Sequence, residues 1–178
     1  MKKYINEKFK YGFKFIDYIY LYCLLSFLFF GLILSNVIKF PEKSIEIYKK
    51  ISQKDYINTI YDAEFAIGEN NFRIVNRINI GLAIQERKGS AFPRNEVILF
   101  CNLTIAEEML ELEPDYINYC PYKITVTETL NLDKKVIIST RLLPTNTKSK
   151  NLNEFSINMN EILQRMVEYA ASDDPFIF

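Results

Sequence analysis

The residues of this chain with chemistry to offer fall in two short runs. Cys101 and Asn102 are adjacent, and Tyr119, Cys120, Tyr122 and Lys123 surround Pro121 further along. An asparagine at a strand end, just ahead of a helix amino terminus, can set its amide beside free backbone N–H groups, which suits an anionic or carbonyl ligand. Capping the helix or forming a turn uses the same amide with no ligand. Tyrosine hydroxyls and a lysine amine around Pro121 can line a pocket, although half-exposed aromatic packing accounts for the same residues. These six side chains are the candidate ligand-binding set.

Thiol chemistry is the second prospect. A reactive thiolate needs a positive neighbour or a helix amino terminus, and Cys101, just before a helix that starts near Thr104, meets that condition loosely. A Cys101–Cys120 bridge requires an oxidising compartment; two buried, unpaired thiols are the simpler expectation. The third cysteine, Cys23, lies far from both, and no C-x-x-C pair occurs. The chain has no histidine, which removes every Ser-His-Asp and Cys-His device and leaves zinc or haem without its usual ligands. No metal and no cofactor is expected. Carboxylates, Lys, Tyr and thiols remain as acid and base groups, and no carboxylate pair stands out from surface charge. The acidic stretch Glu107, Glu108, Glu111, Glu113 and Asp115 lacks the alternation around a glycine of a calcium loop and reads as a solvated helix face.

The location of this chemistry follows from another stretch. Tyr18 to Ile38 carries no charged side chain, and at helical rise it makes a rod of roughly 31 Å, enough to cross a bilayer. It is apolar on every side, unlike a core helix with one stripe, and it lacks the small residues of a peptidase site. A permanent transmembrane anchor over 18–38 is expected, with Tyr18, Tyr20 and Tyr22 at headgroup level. Lys2, Lys3, Lys8, Lys10 and Lys14 precede it. Residues 1–17 then form a basic cytoplasmic arm, and the bulk of the chain is exported, into the periplasm of a bacterium with two membranes.

From Lys39 onward there are 17 Lys and Arg against 20 Asp and Glu. Without a basic cluster, nucleic acid is not an expected partner. About 140 residues suffice for one domain. Residues 39–54 read as a linker with a first strand at Ser44 to Tyr48, and 55–178 as the folded domain.

The elements that position the candidate residues are read from periodicity. Ser52 is placed as the cap of a helix burying Tyr56, Ile60, Ala63 and Ile67. Phe72, Ile74, Asn76 and Ile78 share one side of a strand, and a short helix covers Ile80 to Arg87. The continuous apolar run Val97 to Cys101 predicts the central strand of the sheet, covered on both faces. Thr104 and Glu107 fit a capping box for a helix that Pro114 ends. A hairpin joins Ile124–Glu128 to Val136–Ser139. Phe155, Met159, Ile162, Leu163, Met166, Val167 and Ala170 repeat at three and four, predicting a long helix that covers one sheet face.

Phe100-Cys101-Asn102-Leu103, then Ala106, Leu110 and Pro114, then Pro121-Tyr122-Lys123-Ile124-Thr125-Val126, resemble the domain-of-unknown-function family numbered 302, over roughly Asp55 to Ala171. The resemblance implies an α+β fold, an antiparallel sheet packed by helices in the TATA-binding-protein-like order of strand, helix, four strands and helix. It also implies a homodimer, and no reaction. In it, Asn102 and Pro121 occupy the family's asparagine and proline positions. Leu103 departs from the common proline, and Tyr122 stands where another branch has cysteine. The functional expectation is a noncatalytic module, anchored in the membrane, that receives a small molecule or protein between sheet and long helix or on a dimer face. The alternative is a thiol-based redox enzyme or sensor using Cys101 and Cys120.

Overall fold

The computed structural model describes residues 20, 22–27, 46–130 and 134–174. The chain divides into two units, Met1–Ser44 and Ile45–Phe178. In the first unit, residues 20 and 22–27 are helical and exposed. The rest of the expected anchor lies outside the described residues. Among the described residues, no helix is long and apolar enough to cross a membrane.

The second unit runs β1 (Ile47–Ile51), α1 (Tyr56–Glu69), β2 (Arg73–Asn79), α2 (Ile80–Lys88), β3 (Asn95–Cys101), α3 (Leu103–Leu112), a 3-10 turn (Pro114–Tyr119), β4 (Tyr122–Glu128), β5 (Val136–Arg141) and α4 (Lys150–Ala171). The five strands form one sheet in the order β1-β5-β4-β3-β2, antiparallel throughout. The fold is therefore α+β, an antiparallel sheet packed by helices, with α2 and α3 inserted between strands.

Period-two alternation along β3, β4 and β5 sends one set of side chains to the helices and the other to the opposite face. Ile98, Phe100, Ile124, Val126 and Ile138 are completely buried, as are Leu163, Met166 and Val167 of α4 and Ile67 of α1. Each such side chain contributes roughly 1.5–3 kcal/mol relative to exposure, so this layer is the main source of cohesion. The helical stripe of α4 packs on α1, β5 and β1. The space between sheet and α4, where a ligand was expected, is filled by these side chains.

Several local expectations change. The sheet centre is β4, not β3, and β3 is covered on one face only, because Val97, Leu99 and Cys101 are half-exposed on the other. Hydrophobic content marks a strand but not its neighbours. The first strand is Ile47–Ile51, later than Ser44 to Tyr48, and it pairs with β5 as a sheet member. In β2 a bulge at Val75 shifts the register between Ile74 and Asn76. Ile74 consequently sits opposite buried Phe100, whereas Ile78 lies opposite Val97 on the other face; one extra residue flips the alternation.

The caps also differ. Asp55, not Ser52, caps α1 by accepting from the Asn58 N–H at 2.9 Å, while the Ser52 hydroxyl pairs with Thr59 Oγ1 at 2.7 Å. For α3 the cap is Asn102, two residues ahead of Thr104.

Candidate functional site

The six candidate residues sit around the junction where β3 ends and β4 begins, but they do not share one surface. Cys101 is the last residue of β3, and Cys120 closes the 3-10 turn before β4. The Phe100–Tyr122 pairing draws the two strand ends together, and the Cys101 and Cys120 sulfurs lie 3.1 Å apart. Both are free thiols, half-buried. Burial, then the contact with Cys101, pushes the Cys120 thiol up to about 12, so it keeps its proton at neutral pH.

The Asn102 amide is occupied by the fold. Its Oδ1 accepts from the N–H groups of Thr104 and Ile105 at 3.0 and 3.2 Å, and its Nδ2 donates to the Asn71 carbonyl at 2.9 Å. An Asx cap of this kind satisfies two of the orphan donors of a helix start. It also ties β3 to the turn before β2.

Tyr122 belongs to the core, with 3% of its surface exposed. Its ring meets Phe72 edge-on with centroids 5.9 Å apart, and its hydroxyl donates to Met109 Sδ at 3.4 Å. Burial raises its phenol well above the usual range. Lys123, the next residue, is exposed, because alternation turns it to the opposite face. Tyr119 packs on Tyr116 with centroids 5.0 Å apart, and the Arg141 guanidinium lies 4.5 Å above its ring. Arg73 is the register partner of Cys101 across β2 and β3. The thiol pair therefore lies in the half-exposed layer, at a sheet end that also carries Arg73, Lys123 and Arg141.

A groove of about 630 Å³ lies elsewhere, between α2 and the uncovered face of β3 and β4. Ile80 and Ile84 of α2 form one wall, Phe92 and Pro93 the next, and Val97, Thr125 and Thr127 the floor. The first turn of α2 packs against the chain that leads into β3. A Cβ on Gly81 would come within 2.5 Å of the Pro93 carbonyl oxygen, so only glycine allows the approach. A second groove, of about 670 Å³, runs between α3 and α4 over Ile105, Phe155 and Met159, with Glu108, Glu111 and Glu154 at its rim.

The family model for Domain of unknown function DUF302 matches residues 48–171. The chain belongs to the DUF302 family. A similar fold is the crystal structure of uncharacterized conserved protein DUF302 from Bacillus stearothermophilus, with a TM-score of 0.61 and 18% identity, covering 71% of this chain and 98% of that one. No curated protein matches the chain.

The sequence signals of this DUF302 domain located the thiols but not their contact, since nineteen positions separate them. The groove residues went unnoticed as a group. Ile80 and Ile84, four apart on a helix too short to need a second apolar side, are the signal that was there to read. An ion pair between a buried carboxylate and a half-exposed arginine was also missed. Glu96 is 6% exposed, and Arg77 Nε and Nη2 reach its Oε1 at 2.5 Å.

Proposed function

We propose that this DUF302 chain is a noncatalytic binding module anchored in the inner membrane, with its domain in the periplasm and a small, mainly apolar molecule as its ligand. The observation that carries the reading is the α2 groove. Ile80, Ile84, Phe92 and Pro93 wall it, Val97, Thr125 and Thr127 floor it, and Glu96 and Glu128 also line it. Mostly apolar walls with a few polar groups are the usual makeup of small-molecule sites, and about 630 Å³ is within their usual size. The two carboxylates that line the α2 groove, Glu96 and Glu128, are held by Arg77 and Arg94, whereas an apolar guest in the α3–α4 groove would have to desolvate Glu108, Glu111 and Glu154 at its rim.

The anchoring half of the proposal is supported by the charge-free stretch 18–38 and the five lysines before it. The homodimer implied by the family resemblance stays part of the proposal. Ile47 and Ile51 of edge strand β1 leave 58% and 61% of their surface exposed, available to a second copy. A thiol enzyme ranks below the binding module, since it needs a thiolate at rest and burial holds the proton on Cys120.

The test is native mass spectrometry of the full chain released from native membranes, beside a Thr127→Trp variant that fills the groove floor. Wild type should release a small molecule that the variant lacks, at unchanged helicity by circular dichroism. Equal release from both, or none from wild type, refutes the ligand. For topology, carboxyl-terminal alkaline phosphatase should be active, and a carboxyl-terminal fluorescent protein that lights up in the cytosol refutes the export.

A further inference from the structure

We propose that Cys101 and Cys120 are a reversible disulfide site, oxidised by exchange with an external disulfide, that staples the end of β3 to the start of β4. The inference stands independently of the groove and its ligand.

Geometry carries it. The two sulfurs lie 3.1 Å apart in the dithiol form, and a disulfide needs about 2.05 Å, so a side-chain adjustment of about 1 Å closes the bond. The strand ends that hold them are set by the β3–β4 register, which brings Phe100 opposite Tyr122. Unpaired core cysteines have no need to face each other. Both are half-buried rather than sealed in, leaving a small disulfide a route to the sulfur.

The steps balance without any group the domain lacks apart from the donor. Cys101, as thiolate, attacks one sulfur of the donor; the donor S–S bond breaks and one donor thiolate leaves. Cys120 then passes its proton to that thiolate or to solvent base and attacks Cys101 Sγ, expelling the second donor thiolate. The two protein thiols lose two electrons and two protons, and the donor becomes two thiols. The order follows from Cys120 holding its proton more tightly than an ordinary thiol.

The staple encloses residues 102–119, which comprise α3 and the 3-10 turn. Closing a loop of about 20 residues restricts the unfolded chain and raises the melting temperature of a domain this size by roughly 7–15 °C.

The experiment uses the full chain carrying Cys23→Ser in detergent, equilibrated in glutathione buffers from fully reduced to fully oxidised, acid-quenched, alkylated and mapped by mass spectrometry. Wild type is mapped in parallel. The expected result is loss of both alkylation sites together, a peptide linking Cys101 to Cys120, and a melting temperature that rises and falls back with dithiothreitol. Cys120→Ser should instead accumulate glutathione on Cys101. The proposal is overturned if both thiols stay alkylatable in the most oxidising buffer. It is equally overturned if wild type carries separate glutathione adducts, or if the linked species joins two chains.

Discussion

Asn160 in α4 holds both main-chain groups of Leu143: its Nδ2 donates to the Leu143 carbonyl at 2.9 Å, and the Leu143 N–H donates to its Oδ1 at 2.7 Å. Both residues are buried, Asn160 at 7% and Leu143 at 1% exposure. One amide thus holds the chain as it leaves β5.

Asn160→Ala leaves a buried donor and a buried acceptor unpaired, each costing about 1–3 kcal/mol. The expected loss is about 2–4 kcal/mol, read as a lower urea midpoint. A loss below about 0.5 kcal/mol means that water or a shifted loop replaces the amide.

Gly81 and Gly68, both within helices, should respond in opposite senses. In Gly81→Ala the new Cβ meets backbone, 2.5 Å from the Pro93 oxygen and 2.7 Å from the Asn95 nitrogen, so α2 must move away; a destabilisation of about 1–3 kcal/mol is expected. Gly68, inside α1, has open space at its Cβ, and Gly68→Ala should stabilise by about 0.5–1 kcal/mol. Thermal melts of the pair check both signs, and a neutral Gly81→Ala would show that the α2 approach is looser than described.

Arg77 bridges two carboxylates, Glu96 at 2.5 Å and Glu64 at 2.6 Å. Arg77→Leu strands the buried Glu96 charge, an expected cost of about 2–4 kcal/mol. The same change on a Glu96→Gln background should cost clearly less, because no charge is left unpaired. Equal costs in a double-mutant cycle count against coupling of the two residues.

Acid should weaken the fold partly through Glu128. The Arg94 guanidinium, 2.5 Å away, holds its carboxyl below the usual range against a smaller opposing effect of burial. A depressed folded pKa means that the stabilisation is fully present above the unfolded value, about 4.3, and is lost as pH falls through the lower folded value. Denaturation from pH 6 downward should therefore show a loss that begins below about pH 5, and Glu128→Gln should flatten it. An unchanged acid slope in the variant assigns the loss to other carboxylates.

Much of this protein was legible one element at a time. The three-and-four repeat from Phe155 to Ala170 produced α4 with its predicted stripe buried apart from half-buried Ile162, because a helix against a core must hide one face whatever it packs on. The hairpin strands, the helix from Tyr56 and the apolar run before Cys101 were equally local. The Ser52 and Thr104 caps went astray because several nearby side chains can accept from a helix start. The choice among them depends on where the preceding strand delivers the chain.

What the linear chain determined by itself is therefore the set of amphipathic elements, the charge-free 18–38 stretch and the absence of histidine chemistry, all consequences of side-chain type and period. Only the tertiary structure decided which strands pair, that β4 is central, and that the α2 groove opens on the uncovered face. It likewise brought Cys101 and Cys120 to 3.1 Å. Those relations depend on register between segments far apart in sequence, and register is set by the collective fit of a whole face rather than by any residue's own preference.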